Sequence, residues 1–238
     1  MTNPNNILLA RTNLKSWYAN HARDLPWRLD PSLYGTWLSE ILLQQTRVET
    51  GIPKWHLFMD FFPTVGHLAS ATEDQVLKAW EGLGYYRRAT HLHKAAKAID
   101  VAGEFPKSYV DWLKLPGVGP YTAAAIASIG LGEGVAVVDG NVQRVISRWE
   151  GITDPVDGKI GAKAVQAAAD AWLDHADPGN HNQAVMELGA LICSPRNPMC
   201  KRCPLSTNCA SANQPDMWGI LPTKKPKKKA IRWDLTWH

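Results

Sequence analysis

The stretch Leu115-Pro116-Gly117-Val118-Gly119-Pro120-Tyr121-Thr122 constrains this chain more than any other. Gly117 and Gly119 flank one apolar residue, and Pro120 opens an Ala-rich run from Ala123 to Ala127, a pattern that reads as a tight hairpin between two short helices. Such a turn leaves backbone N–H groups pointing outward, and the new helix N-terminus adds partial positive charge, so a phosphate fits there. An ordinary helix–helix connection would use the same residues. The balance is shifted by Val137-Val138-Asp139-Gly140-Asn141, which places a carboxylate after an apolar pair. Gly140 frees the backbone, and Asn141 is suited to cap a helix running through Val142–Trp149.

With 238 residues, 45% of them hydrophobic, the chain can bury one large core or two smaller ones. The net charge of +4 is modest, but Lys224-Lys225-Pro226-Lys227-Lys228-Lys229 is locally dense and suits either a polyanion partner or a solvated tail. No N-terminal stretch has the order of a signal peptide, and no apolar run approaches the ~20 residues of a membrane span. The expectation is a soluble, cytoplasmic protein. No repeat of solenoid period is visible, and the eleven Trp are core residues by default.

Apolar spacing predicts helices almost throughout and no strands, hence an all-α fold. Ile7–His21 is a packing helix that Leu25-Pro26-Trp27-Arg28 breaks; the Arg beside an indole there weighs toward packing. Thr36–Thr46 forms a helix with Trp37 and Ile41 inward. Glu40 shares that apolar face, where desolvation raises a carboxyl pKa as a general acid requires; a solvated edge is the plainer alternative. Gln44, Gln45 and Thr46 end this helix with groups suited to probing a groove. Helices follow at Glu49–Phe62, Thr64–Ala71, Glu73–Trp80 and Tyr85–Val101. In Gly82-Leu83-Gly84-Tyr85-Tyr86-Arg87-Arg88, the aromatics suit wedging between bases and the arginines suit phosphates, unless the tyrosines are a core pair. His91 and His93, two apart on a helix, face different ways and make no metal pair. Lys159–His175 and Asn180–Leu191 complete the helices, the second carrying Glu187 as a weaker candidate than Glu40 for chemistry.

The four Cys all fall in the arrangement C-x6-C-x2-C-x5-C: Cys193, Cys200, Cys203 and Cys209. For a cytosolic protein such clustering favours a metal centre over disulfides. By spacing alone, zinc and iron–sulfur are comparable.

SEILLQQT, GLGYYRRA, LPGVGPYTA, VVDGNVQRV and the cysteine cluster occur in one order. Together they resemble the helix-hairpin-helix base-excision DNA glycosylases that carry a [4Fe–4S] cluster, most closely the MutY-type adenine DNA glycosylases. The resemblance runs from about Leu25 to about Pro222, and it implies the iron–sulfur reading of the cysteines. It implies a helix-hairpin-helix glycosylase fold over residues 1–222, with a six-helix part at about 30–135. A second part, 1–29 with 136–212, would hold the cluster loop. Residues 223–238, ending in the strand-like alternation Trp233–Trp237, would be a basic tail or the start of a further C-terminal domain that reads 8-oxoguanine.

The implied activity is removal of adenine mispaired with 8-oxoguanine or guanine by hydrolysis of the N-glycosidic bond. Asp139 resembles the catalytic aspartate, Glu40 the general acid, and Asn141 the amide that steadies the aspartate and the attacking water. Tyr121 stands where related bifunctional enzymes carry a Schiff-base lysine, so strand cleavage is not expected. Gln45 and Tyr85 resemble residues that probe and wedge the stack, and Thr46 beside Gln45 would contact the DNA. Arg88, Gly117, Gly119 and Arg196 would meet the backbone, and Trp27, Arg28 and Glu187 would form the adenine pocket. The implied partner is double-stranded DNA containing a mismatch, bound by a monomer without a membrane. A thymine or uracil mismatch glycosylase of the same superfamily is the alternative. A non-catalytic DNA-binding module would not need both Glu40 and Asp139 in these settings.

Overall fold

A computed structural model describes residues 4–226, and the alternation Trp233–Trp237 lies outside them. The described chain is helical: α1 Pro4–His21, α2 Pro26–Leu29, α3 Leu33–Leu42, α4 Val48–Phe61, α5 Val65–Ser70, α6 Glu73–Trp80, α7 Arg87–Ala102, α8 Tyr109–Trp112, α9 Pro120–Leu131, α10 Gly140–Glu150, α11 Lys159–Trp172, α12 Pro178–Leu191 and α13 Pro215–Ile220. Two short 3-10 turns, Cys200–Arg202 and Ser206–Asn208, lie between α12 and α13. No strand occurs among the described residues.

Local chemistry sets most helix starts. Ser32, Thr64 and Ser108 accept backbone N–H groups at the heads of α3, α5 and α8, and Thr72 with Gln75 forms a reciprocal capping box at α6. The expected helix Tyr85–Val101 starts two residues late, at Arg87, because Tyr85 adopts a left-handed φ of 46°. The expected helix Thr36–Thr46 ends early, at Leu42, and Gln45 beyond it has φ 57°. The segment that was expected only to break α1 contains a short helix of its own, α2, with Pro26 at its first position.

Two hydrophobic cores organise these helices. One gathers Trp37, Leu38, Phe58, Trp80, Leu92 and Trp112 from α3 to α8, with Ala123 and Ile126 of α9. The other gathers Leu14 and Trp17 of α1 with Val145, Trp149, Trp172 and Leu188 of α10 to α12. Leu25 and Trp27, which the reading of the sequence assigned to the second part, are buried in the first core. Helix α9 lies at the junction: its Ala124 and Ala125 pack with Val137 just ahead of α10. The chain therefore brings α3, α9, α10 and α12 together.

The hairpin before α9 is built as its glycines require. Gly117 has φ 78°, and a Cβ there would stand 2.7 Å from the Cβ of His91, so conformation and space both demand glycine. Gly119 differs: it is extended, with open space around it, and caps α9 without any side-chain hydrogen bond.

Candidate active site

Helices α2, α3, α9, α10 and α12 and the loop after α1 converge on a cavity of about 240 Å³. α3 supplies Glu40, the first turn of α9 supplies Tyr121, the head of α10 supplies Asp139 and Asn141, and α12 supplies Gln183 and Glu187. The loop and short helix after α1 close it with Arg23, Trp27 and Arg28. All the residues proposed from sequence as catalytic or as base pocket thus line one space.

Glu40 is 8% exposed, so the solvated-edge alternative does not hold. Tyr121 Oη donates a 2.8 Å hydrogen bond to Glu40 Oε2. Burial pushes the Glu40 carboxyl up to about 7; the Tyr121 hydrogen bond pulls it down, and the Asp139 charge adds a further upward push. Burial and the nearby Glu40 hold the Tyr121 phenol well above its ordinary value, so it remains a donor.

Asp139 caps α10, its Oδ1 accepting from the Val142 backbone N–H at 2.7 Å. This corrects the expectation that Asn141 is the cap. Asn141 sits inside the first turn and donates from Nδ2 to Asp139 Oδ2 at 2.8 Å. Asn141 Oδ1 in turn accepts from Arg144 Nη2 at 2.8 Å, and Arg144 Nε reaches the carbonyl of Cys193 at 2.6 Å. Burial raises the Asp139 carboxyl from its usual range, against the hydrogen bonds from Val142 and Asn141. A Cβ on Gly189 would lie 2.6 Å from the Asn141 Cβ, so this glycine is what lets α12 approach the head of α10.

Glu187 is an anion by design of its surroundings. Arg23 holds it through Nε at 2.7 Å, Nη2 at 2.8 Å and its backbone N–H at 3.0 Å, and Arg28 Nη2 adds a bond at 3.1 Å. Burial would raise its carboxyl, but the hydrogen bonds of Arg23 and then Arg28 outweigh that and bring it to about 2. Glu187 therefore serves as a fixed acceptor and charge, while Glu40 is the group that keeps a proton near neutrality. Arg28 Nε also donates to Gln183 Oε1 at 3.0 Å. Arg23, Gln183 and Arg144 escaped the sequence reading. Arg23 and Gln183 meet partners far along the chain, Arg23 and Glu187 being 164 positions apart, whereas Arg144 lies in VVDGNVQRV three residues after its partner Asn141, and that spacing could have found it.

Around this cavity, Gln45 is exposed and Tyr85 is 67% exposed. Tyr86 is exposed as well, which removes the alternative of a core tyrosine pair. Arg196 is exposed in the loop between the first two cysteines. Arg88 does not point outward as a phosphate ligand would. Its guanidinium donates inward to Ile41, Leu42, Gln44, Leu83 and Gly84 carbonyls and to Thr46 Oγ1.

Cys193, Cys200, Cys203 and Cys209 carry no disulfide and line a common pocket with Arg148 and Trp218. Arg148 Nη1 donates to Cys193 Sγ at 3.4 Å, and its other bonds reach the carbonyls of Ser194, Pro195 and Leu221. Burial pushes the Cys203 and Cys209 thiols up to about 12 and about 11. Among the described residues, no three His, Cys, Asp or Glu gather closely enough to hold a single ion. Four sulfurs around one pocket beside a guanidinium, without a carboxylate, form a donor set suited to an anionic iron–sulfur cluster.

Residues 38–172 match the HhH-GPD superfamily of base excision DNA repair proteins. An adenine DNA glycosylase of Buchnera aphidicola subsp. Schizaphis graminum is 39% identical over 225 residues, covering 93% of this chain and 64% of the relative. The adenine DNA glycosylase of Homo sapiens is 40% identical over 89% of this chain and 41% of the relative. The chain thus spans under two thirds of these relatives' lengths. Among solved structures, a thermostable thymine-DNA glycosylase superposes with a TM-score of 0.80 at 26% identity, over 88% of this chain and 98% of that one. An endonuclease III in a DNA complex gives 0.74 at 18% identity, over 90% of this chain and 98% of that one, a likeness of fold. No described helix is long and apolar enough to cross a membrane. The chain belongs to the HhH-GPD superfamily of base excision DNA repair proteins.

Proposed function

We propose that the protein is a monofunctional DNA glycosylase that releases adenine mispaired with guanine or 8-oxoguanine from duplex DNA by hydrolysis. The observation that carries this reading is the pairing of carboxyls in one cavity: Glu40, held protonated to about pH 7, and Asp139, oriented by Asn141 and Val142. Adenine leaves deoxyribose poorly as an anion, so a proton must reach its ring as the C1′–N9 bond breaks. Glu40 donates that proton to N7. The sugar is left as an oxocarbenium cation, which the Asp139 carboxylate stabilises, and water adds to C1′ as its proton passes to that carboxylate and on to solvent. The base reaches the cavity only after extrusion from the stack. Trp27 offers it an aromatic wall, and the Glu187–Arg28 pair offers an acceptor and a donor for its edge.

The rim suits a duplex. Gln45 and Tyr85 probe and wedge the stack, while the uncovered helix head at Gly117–Gly119 and Arg196 meet the phosphates. No lysine stands at position 121, so no Schiff base forms there. The four cysteines would hold a [4Fe–4S] cluster, which when bound would cross-link the loops after α12 and take no part in hydrolysis. Arg148 supports this by tying Cys193 to the carbonyls of the neighbouring loop.

Base release under single-turnover conditions from duplexes carrying A·8-oxoguanine, A·G, T·G and U·G tests the proposal. Release of adenine with thymine and uracil retained is expected. The structural likeness to a thymine-DNA glycosylase gives the second reading, removal of thymine or uracil opposite guanine, and the same assay decides it.

A further inference from the structure

Gln45 and Tyr85 share an unusual trait among the described residues: they alone adopt positive φ without being glycine, at 57° and 46°. A bulky side chain in the left-handed region is unfavourable and persists only where its surroundings over-determine it. Each φ is set by the orientation of the preceding peptide plane, whose carbonyl belongs to Gln44 in one case and Gly84 in the other. Arg88 donates to both. Nη1 binds the Gln44 carbonyl together with those of Ile41 and Leu42, and Nη2 binds the carbonyls of Leu83 and Gly84 at 3.1 and 3.4 Å. Both terminal nitrogens also meet Thr46 Oγ1 at 3.4 Å. The guanidinium lies 5.0 Å from the Trp80 ring centroid, and the Trp80 indole N–H donates to the same Gly84 carbonyl at 2.9 Å.

We propose that Arg88 is a positioning residue that clamps the turns of Gln45 and Tyr85 to one another, presetting both for entry into the base stack. Among these acceptors is no carboxylate; the cation is held by carbonyls at the C-terminal end of α3, where a helix directs negative partial charge. A planar fork with two terminal nitrogens spans both turns at once, whereas an ammonium is a single point of attachment. The side chain lies beyond the cavity that holds Glu40 and Asp139. Its effect therefore falls on extrusion of the base and leaves the proton transfer alone.

This inference rests on the glycosylase reading and on Gln45 and Tyr85 as probes of the stack. Arg88→Lys and Trp80→Phe are compared with the unmodified protein on two duplexes, one with adenine opposite guanine in a G·C-rich context and one with adenine opposite a tetrahydrofuran abasic analogue. Extrusion costs less where the base has no pairing partner. Single-turnover adenine release is measured together with the fluorescence rise of 2-aminopurine placed beside the target. Arg88→Lys is expected to lose roughly tenfold on the paired adenine, the scale of hydrogen bonds to a charged group, with a slower fluorescence rise and a much smaller loss on the unpaired one. Trp80→Phe should show the same pattern by a smaller factor. Equal losses on both duplexes, or folded variants with no loss, overturn the clamp. Absence of adenine release by the unmodified protein overturns the glycosylase reading instead. Should Arg88→Lys fail to fold, the outcome with Trp80→Phe decides.

Discussion

Tyr121 and Glu40, 81 positions apart in sequence, meet through one 2.8 Å hydrogen bond in which the phenol donates and the carboxyl accepts. The bond favours the ionised carboxylate, so it restrains a pKa that burial has driven up to about 7. In the proposed reaction its position matters. A carboxyl left wholly to its apolar setting would hold its proton too tightly to give it away, and one fully solvated would carry none at neutral pH.

Tyr121→Phe removes the restraint while keeping the ring. The carboxyl of Glu40 should then titrate higher, and the descending limb of the pH–rate profile should move to higher pH by about one unit, with a few-fold lower maximum from the loss of orientation. Single-turnover rates from pH 5.5 to 9 read this directly. A limb that stays where it was would mean that Glu40 is not the group whose ionisation governs the rate.

Glu40→Gln tests the same carboxyl through stability. Between the ordinary value of 4.5 and the folded value of about 7 the native state binds more protons than the unfolded chain, so stability falls as pH rises through that window. At pH 8 the unmodified protein bears nearly the full penalty, on the order of 3 kcal/mol. The neutral amide should therefore raise the denaturation midpoint at pH 8, have little effect at pH 5, and reduce adenine release by several orders of magnitude. Equal stability shifts at both pH values would remove the buried-acid account.

These consequences were partly legible in the linear chain. Glu40 within a Leu- and Ile-rich helix, and Asp139 after an apolar pair, declare themselves because a carboxylate amid apolar periodicity needs a reason to be there. What stayed hidden depends on partners far away. Nothing in the sequence singles out Arg23, because its partner Glu187 arrives only with α12, and Arg88 was expected to meet phosphates because its acceptors are backbone carbonyls, which no sequence displays. Backbone strain at Gln45 and Tyr85 is equally invisible, since neither residue type favours positive φ. The cap of α10 was misplaced by two positions because Asp139 and Asn141 are both good capping residues, and only the Val142 N–H shows which one does it.

The cysteines carry an independent expectation. Protein purified without metal chelators should be yellow-brown and contain about four irons per chain. Stripping the iron should lower the denaturation midpoint markedly, because the cross-link between the loops after α12 is lost and its sulfurs are left as separate thiols, which burial keeps protonated. Stoichiometric zinc with no iron in anaerobically prepared protein would sink the cluster assignment.

The proposed reaction gives Asp139 a second duty beside capping α10, and two substitutions separate them. As a cap it needs only a side-chain oxygen for the Val142 N–H, which Asn supplies nearly as well as Asp. As a stabiliser of the sugar cation it needs a negative charge, which Asn lacks. Asp139→Asn should therefore keep the cap and lose only the bond from Asn141 Nδ2, lowering the denaturation midpoint by less than Asp139→Ala does, while it abolishes base release and keeps or tightens duplex binding, because repulsion between carboxylate and phosphate is gone. Asp139→Ala should lose activity to the same extent and, in addition, about 1 kcal/mol of stability from the uncapped helix head. The comparison is made by thermal denaturation, a binding isotherm on an uncleavable duplex and single-turnover kinetics on the same preparations. If Asp139→Asn retained even a tenth of the unmodified rate, the carboxylate would be a helix cap that happens to face the cavity, and the cation would have to find its countercharge elsewhere.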